Sequence, residues 1–167
     1  MNQVFVAVLM GSDSDYPLLV DALSILDSLD IAYEVKITSA HRTPQDTHHY
    51  IKDAEQRGCQ VFIAAAGLAA HLAGAVAANT TRPVIGIPIN AGSLNGFDAL
   101  LSTVQMPAGV PVATMAIGAP GAKNAAYFAA QILALSNSSL AERLLREREL
   151  QAEKVRTKDA ELQQKRS

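Results

Sequence analysis

The chain has 167 residues, enough for one domain with a full core and too few for two. Its net charge of −2 argues against nucleic acid or an anionic membrane surface as partner, and its single cysteine, Cys59, excludes an internal disulfide. It is 49% hydrophobic but only 5% aromatic, with no tryptophan, so the core must be built of Ala, Val, Ile and Leu.

Met1-Asn2-Gln3 lacks the basic residues of a signal peptide, and Gly, Pro or polar residues break every apolar run before membrane-spanning length. A soluble cytoplasmic protein is expected. Val4 to Met10 is a continuous apolar run, the pattern of a central parallel strand covered on both faces. It ends in Gly11-Ser12-Asp13-Ser14-Asp15, after which Leu18, Leu19, Ala22, Leu23, Leu26 and Leu29 recur at helical spacing. A loop between strand and helix offers backbone N–H groups and the positive end of the helix dipole to an anion, with Ser12 and Ser14 as further donors. Asp13 and Asp15 suit phosphate poorly, because a carboxylate only accepts hydrogen bonds; sugar hydroxyls suit it better. The plainer alternative is that Asp13 or Ser14 caps the helix, although capping needs one such residue and the loop has four.

A second strand is predicted over Tyr33–Ile37, followed at once by Ser39-Ala40-His41-Arg42-Thr43-Pro44. Polar side chains at the end of a buried strand lie at the carboxyl edge of the sheet, where open α/β proteins bind ligands. Arg42 can grip an anion with a planar fork of donors, and His41 can exchange a proton near neutral pH. A phosphate on the arginine and a sugar on an aspartate would together hold a phosphoribosyl group. The same residues also suit an ordinary strand-to-helix turn, with Thr43 at the cap and Pro44 in the first turn. The helix should run from about Pro44 to Arg57 and stop at Gly58. His48 and His49 fall on it, about 100° apart around the axis, which does not make a metal pair.

Val61–Ala66 reads as the third strand. In Gly67-Leu68-Ala69-Ala70-His71-Leu72-Ala73-Gly74, small side chains would let backbone amides approach a ligand; equally, they would let a helix pack closely on the sheet with His71 buried. Pro83–Pro88 is a fourth strand, Phe97–Ser102 a short helix, Pro111–Ile117 a fifth strand, and Asn124–Leu135 an alanine-rich helix. Five strands alternating with helices give a parallel sheet covered on both faces. From Leu140 onward, Leu140, Leu144, Leu145 and Leu150 stand among alternating charges, and the tail is net positive while the rest is net negative. That shift divides the chain into a domain over 1–136 and a charged helical tail over 137–167, fraying after about Gln151.

Gly11-Ser12-Asp13-Ser14-Asp15, Ser39-Ala40-His41-Arg42-Thr43-Pro44, Ala69-Ala70-His71-Leu72 and Ser102-x-Val104-Gln105-Met106-Pro107 together resemble the N5-carboxyaminoimidazole ribonucleotide mutases of purine biosynthesis. The resemblance implies a flavodoxin-like three-layer α/β/α sandwich, assembled as a homo-octamer with active sites at subunit junctions. It implies transfer of a carboxyl group from the exocyclic nitrogen of the ribonucleotide to ring carbon C4, without metal or cofactor. By the same resemblance His41 is the acid and base, Arg42 binds phosphate, Ser12 and Ser14 surround it, and Asp15 holds the ribose hydroxyls. Ser39, Gly67, Ala70 and Leu72 line the carboxylate and CO2 pocket, and His71 helps to orient substrate. Leu68 and Ala73 stand where such enzymes usually carry glycine and proline; neither change removes a chemically active group. A related type adds CO2 directly to aminoimidazole ribonucleotide and carries lysine after the histidine, so Arg42 favours the mutase.

Overall fold

The structure, a computed structural model, describes residues 4–166; the Met1-Asn2-Gln3 lead and the final Ser167 lie outside the described residues. Its strands are β1 (Phe5–Met10), β2 (Tyr33–Ile37), β3 (Cys59–Gly67), β4 (Val84–Ile89) and β5 (Ala113–Thr114). They pair in parallel in the order β2-β1-β3-β4-β5, the flavodoxin-like order. The helices are α1 (Tyr16–Ser28), α2 (Pro44–Arg57), α3 (Leu72–Ala77), α4 (Phe97–Val104), α5 (Ala119–Ala134) and α6 (Ser138–Arg166).

Strand alternation builds the three layers. Val6, Val8 and Met10 of β1 and Val61, Ile63 and Ala65 of β3 face one way, into a core completed by Leu19 and Leu26 of α1 and the alanines of α5. Phe5, Ala7, Leu9, Phe62 and Ala64 face the other way, onto Ile51 and Ala54 of α2 and Leu72, Ala73 and Val76 of α3. Because β1 is buried on both faces, it reads as one apolar run. Gly86 of β4 makes room for the second layer: a Cβ there would come 3.3 Å from Ala73 Cβ and run into Thr103 of α4. Cys59 begins β3 fully buried, and burial pushes its thiol up to about 11. Among the described residues no helix is long and apolar enough to cross a membrane.

Three elements differ from the expectation, one of them α5, which begins at Ala119 rather than Asn124. The fifth strand shrinks from Pro111–Ile117 to Ala113–Thr114. Pro88 of β4 accepts from the Gly118 N–H on the β5 side but has no N–H to return, so the ladder lapses there and the chain peels away. The tail is helical from Ser138 to Arg166, beyond the Gln151 at which composition predicts fraying. Leu140 anchors its first turn in the core, and Tyr127 of α5 reaches Glu147 at 3.1 Å. Gly58 ends α2 in the left-handed conformation, as its position predicts.

Candidate active site

The chain leaves β1 toward β2 and returns to lay β3 on β1's other side. That reversal opens a crevice at the carboxyl ends of the two strands. A cleft of about 360 Å³ occupies it. Its walls come from the segments after β1 (Ser12, Ser14, Asp15), β2 (Ser39, His41, Arg42), β3 (Gly67, Leu68, His71, Leu72) and β4 (Ala91). Every residue that the resemblance assigns to the site lines it except Ala70, which is 2% exposed; Asp13, the other acid of the segment after β1, does not line it either.

After β1 the chain makes one 3-10 turn, Asp13–Asp15, before entering α1. Ser12 caps it: its Oγ accepts from the Ser14 N–H at 3.3 Å and from the Ser14 hydroxyl at 2.9 Å. Asp15 is 8% exposed, with its N–H on the Ser12 carbonyl. Burial holds its carboxyl above the usual 3.8, against hydrogen bonding at the Ser12 backbone and Ser14, while nearby Asp13 adds to the rise. The plainer alternative, that Asp13 or Ser14 caps the helix, does not hold: Ser12 caps the 3-10 turn, Asp15 stands before α1 without a side-chain capping bond, and Asp15 lines the cleft.

The loop after β2 is built on hydroxyls that sequence reasoning passed over. Thr38 and Thr47 are buried and hydrogen-bonded at 2.7 Å, with Thr43 Oγ1 3.4 Å from Thr38. Thr43 stands at the N-cap position of α2, yet its side chain does not cap the helix. It accepts instead from the Ser39 N–H at 3.0 Å, while Ser39 Oγ accepts from the Arg42 N–H at 3.1 Å. The i, i+4 spacing of Thr43 and Thr47 is the one sequence signal that could have pointed to this cluster. The loop is thus tied at both ends and presents His41 and Arg42 outward. Among the described residues Arg42 has no carboxylate partner, which leaves its five donors for a ligand.

His71 precedes α3 at its N-cap position and reaches across to the β2 loop. Its Nδ1 lies 2.5 Å from His41 Nε2, with the rings edge to face at 82°. One nitrogen of the pair must donate and the other accept, so two protonated rings cannot hold this contact. His48 and His49 lie outside the cleft, exposed on α2, and His48 Nδ1 meets Asn79 Oδ1 at 2.7 Å. Among the described residues no three His, Cys, Asp or Glu side chains gather where they could hold a metal. The segment after α4 lies against α3: Met106 is so near Gly74 that a Cβ there would come 3.4 Å from its sulfur.

This α/β domain's strand-end cleft combines an arginine without a carboxylate partner, a histidine pair, hydroxyls and a buried acid, a set of groups that can hold an anion, accept from hydroxyls and exchange a proton. The AIR carboxylase family model matches residues 5–154, and the chain belongs to that family. It is 52% identical to the N5-carboxyaminoimidazole ribonucleotide mutase of Mycobacterium tuberculosis over 158 residues, 95% of this chain and 90% of that protein. To the enzyme of the same name from Bacillus subtilis it is 52% identical over 147 residues, 88% of this chain and 91% of the other. A crystal structure of Treponema denticola PurE superposes with a TM-score of 0.86 at 30% identity, covering 96% of this chain and 99% of that one.

Proposed function

We propose that this chain is an N5-carboxyaminoimidazole ribonucleotide mutase, an isomerase of purine biosynthesis. Relatives of that name at about half identity over most of the chain support the activity. The observation that carries the residue assignment is the His41–Arg42 loop, facing the Ser12–Asp15 loop across one cleft with His41 Nε2 on His71. Arg42 takes the ribose phosphate with Ser12 and Ser14, and Asp15 accepts from the ribose hydroxyls. Ser39, Gly67 and Leu72 border the carboxylate, with Ala70 supporting the wall, and His71 orients substrate and His41.

The reaction needs one titrating group. His41 as imidazolium gives its proton to the exocyclic nitrogen. The bond from that nitrogen to the carboxyl carbon breaks with its electron pair going to nitrogen, leaving the amine and CO2. Carbon C4, made electron-rich by the amine, then attacks CO2 and becomes tetrahedral. Neutral His41 removes the C4 proton, whose bonding pair restores the aromatic ring, and the imidazolium is regenerated. An imidazole suits both roles because its ordinary pKa lies close to neutral.

The test is conversion of N5-carboxyaminoimidazole ribonucleotide to its C4-carboxylated isomer by purified protein without ATP or metal. A parallel reaction offers aminoimidazole ribonucleotide with bicarbonate. Preferential use of the first establishes the mutase; preferential use of the second makes the chain a carboxylase despite Arg42.

The proposal includes a homo-oligomer, an octamer by resemblance, in the cytoplasm, where the lone Cys59 stays a free thiol. Phe97, Leu101 and Val104 support the assembly: they form one stripe along α4 and are 64%, 55% and 47% exposed. Sedimentation of Leu101→Asp should show smaller species than the native chain. The division into a domain over 1–136 and a helical tail over 137–167 is part of this proposal.

A further inference from the structure

The threonine hydroxyls behind the His41–Arg42 loop share their protons in a way that leaves one contact empty. Thr47 Oγ1 donates to the Thr43 carbonyl at 3.1 Å, so in the 2.7 Å bond between Thr38 Oγ1 and Thr47 Oγ1 the donor is Thr38. Thr43 Oγ1 donates to the Ser39 carbonyl at 3.3 Å and accepts from the Ser39 N–H at 3.0 Å. A hydroxyl has a single proton, and these bonds use the proton of each threonine. The remaining approach, 3.4 Å between Thr38 Oγ1 and Thr43 Oγ1, therefore has no proton to bridge it.

The three residues are not held alike. Thr38 is fixed to β1, its N–H on the Met10 carbonyl at 2.9 Å, and Thr47 is fixed in α2, its N–H on the Thr43 carbonyl at 3.0 Å. They are 4% and 2% exposed, too covered for water to replace either as a partner, and neither lines the cleft. Thr43 belongs to the loop itself. Its N–H closes the turn on the Ser39 carbonyl at 2.9 Å, with His41 and Arg42 carried between the two. Any shift of Thr43 is a shift of His41.

Without the Thr47 oxygen, the Thr38 proton has Thr43 Oγ1 as its nearest acceptor in the cluster. Closing 3.4 Å to an ordinary hydroxyl bond of about 2.8 Å would draw Thr43 about 0.6 Å toward β2. The Ser39 N–H and carbonyl, bonded to the same oxygen, would move with it. Proton transfer is sensitive on this scale: a misplacement of about 1 Å can lower a rate by about a hundredfold. We propose that Thr47 is a positioning residue for the reaction. By accepting the Thr38 proton it keeps that hydroxyl off Thr43, and so holds the loop where His41 meets His71 and substrate. The inference rests on the mutase reading above.

The experiment measures kcat and KM on N5-carboxyaminoimidazole ribonucleotide for native protein, Thr47→Val, Thr47→Ser, Thr38→Val and the double variant. Assays run at a temperature where melting curves show every variant folded. Thr47→Val keeps the shape but strands the Thr38 proton, so kcat should fall by about tenfold, with KM changing less. Thr47→Ser keeps the oxygen and should turn over like native protein. Thr38→Val leaves no proton to misdirect and should match native protein, alone or combined with Thr47→Val. The double variant should thus be faster than Thr47→Val, a recovery that lost packing would not produce. Native kcat in Thr47→Val overturns the inference, even if its melting temperature falls. A double variant as slow as Thr47→Val overturns it too, and so does slow turnover by Thr38→Val. Thr47→Ala removes the same oxygen and carries the same expectation should Thr47→Val not fold. If native protein does not convert the substrate, the mutase reading falls and this inference with it; if it does, the variants decide the inference alone.

Discussion

The strand-end cleft and helix α6 use their residues in opposite ways. In the cleft, a carboxyl is buried against its preference at Asp15, a leucine is left-handed at Leu68, and an arginine is unpaired at Arg42. In α6, Leu140 is buried at one end while Leu150, Val155 and Leu162 are 58%, 68% and 52% exposed along the rest, and none of its residues is left-handed. The contrast separates residues held for chemistry from residues held for packing. Substitutions in the cleft should move activity more than stability, and substitutions in α6 the reverse.

The largest effect should come from His41→Asn, which keeps a polar side chain of similar reach but does not titrate. Steady-state kinetics should show kcat lower by about 10²- to 10⁴-fold, with the melting temperature close to native. Near-native turnover would end the single-histidine mechanism. Next is Leu140→Ala, which empties a core position 2% exposed and should cost about 2–5 kcal/mol in chemical denaturation. Its counterpart Leu162→Ala, on the exposed end of the same helix, should stay within about 0.5 kcal/mol. Similar losses at both positions would mean that the far end of α6 is buried in the assembled protein.

On its proposed role, Arg42→Ala would remove charge-assisted hydrogen bonds to phosphate worth about 1.5–3 kcal/mol, so KM should rise by roughly 10- to 100-fold. A change confined to kcat would move Arg42 from binding to catalysis. The smallest effect, and the one of opposite sign, is Asp15→Asn. Because the folded carboxyl binds its proton more tightly than the unfolded one, this group favours the folded state most below 3.8. That contribution declines as pH rises from 3.8 through the raised folded value. At pH 7 the amide should therefore raise the melting temperature slightly while weakening substrate binding. A lower melting temperature at pH 7 would show that the charged form is stabilised in place.

The sequence made the central strands legible because β1, β3 and β4 are buried on both faces, and burial on both faces writes itself as a nearly continuous apolar run. β5 was overextended because its end is set by the missing N–H of Pro88 on a neighbouring strand, which no local pattern reports. The cleft was legible where single loops carry its groups, as in Ser12–Asp15 and His41-Arg42. The His41–His71 contact joins two loops thirty positions apart, and only the pairing of β3 beside β1 brings them together. The hydroxyl cluster of Thr38, Thr43 and Thr47 escaped for a related reason: each threonine alone suits a strand end, a cap or a helix.

The burial of Cys59 gives this protein a built-in clock for its own opening. A thiol pushed up to about 11 by burial and fully covered at the start of β3 should resist a disulfide reagent while the native fold is closed. Labelling must wait until β3 parts from its neighbours, so its rate under native conditions reports how often the centre of the sheet comes undone. Since Cys59 is the sole cysteine, that signal has one source, and no residue need be changed to read it.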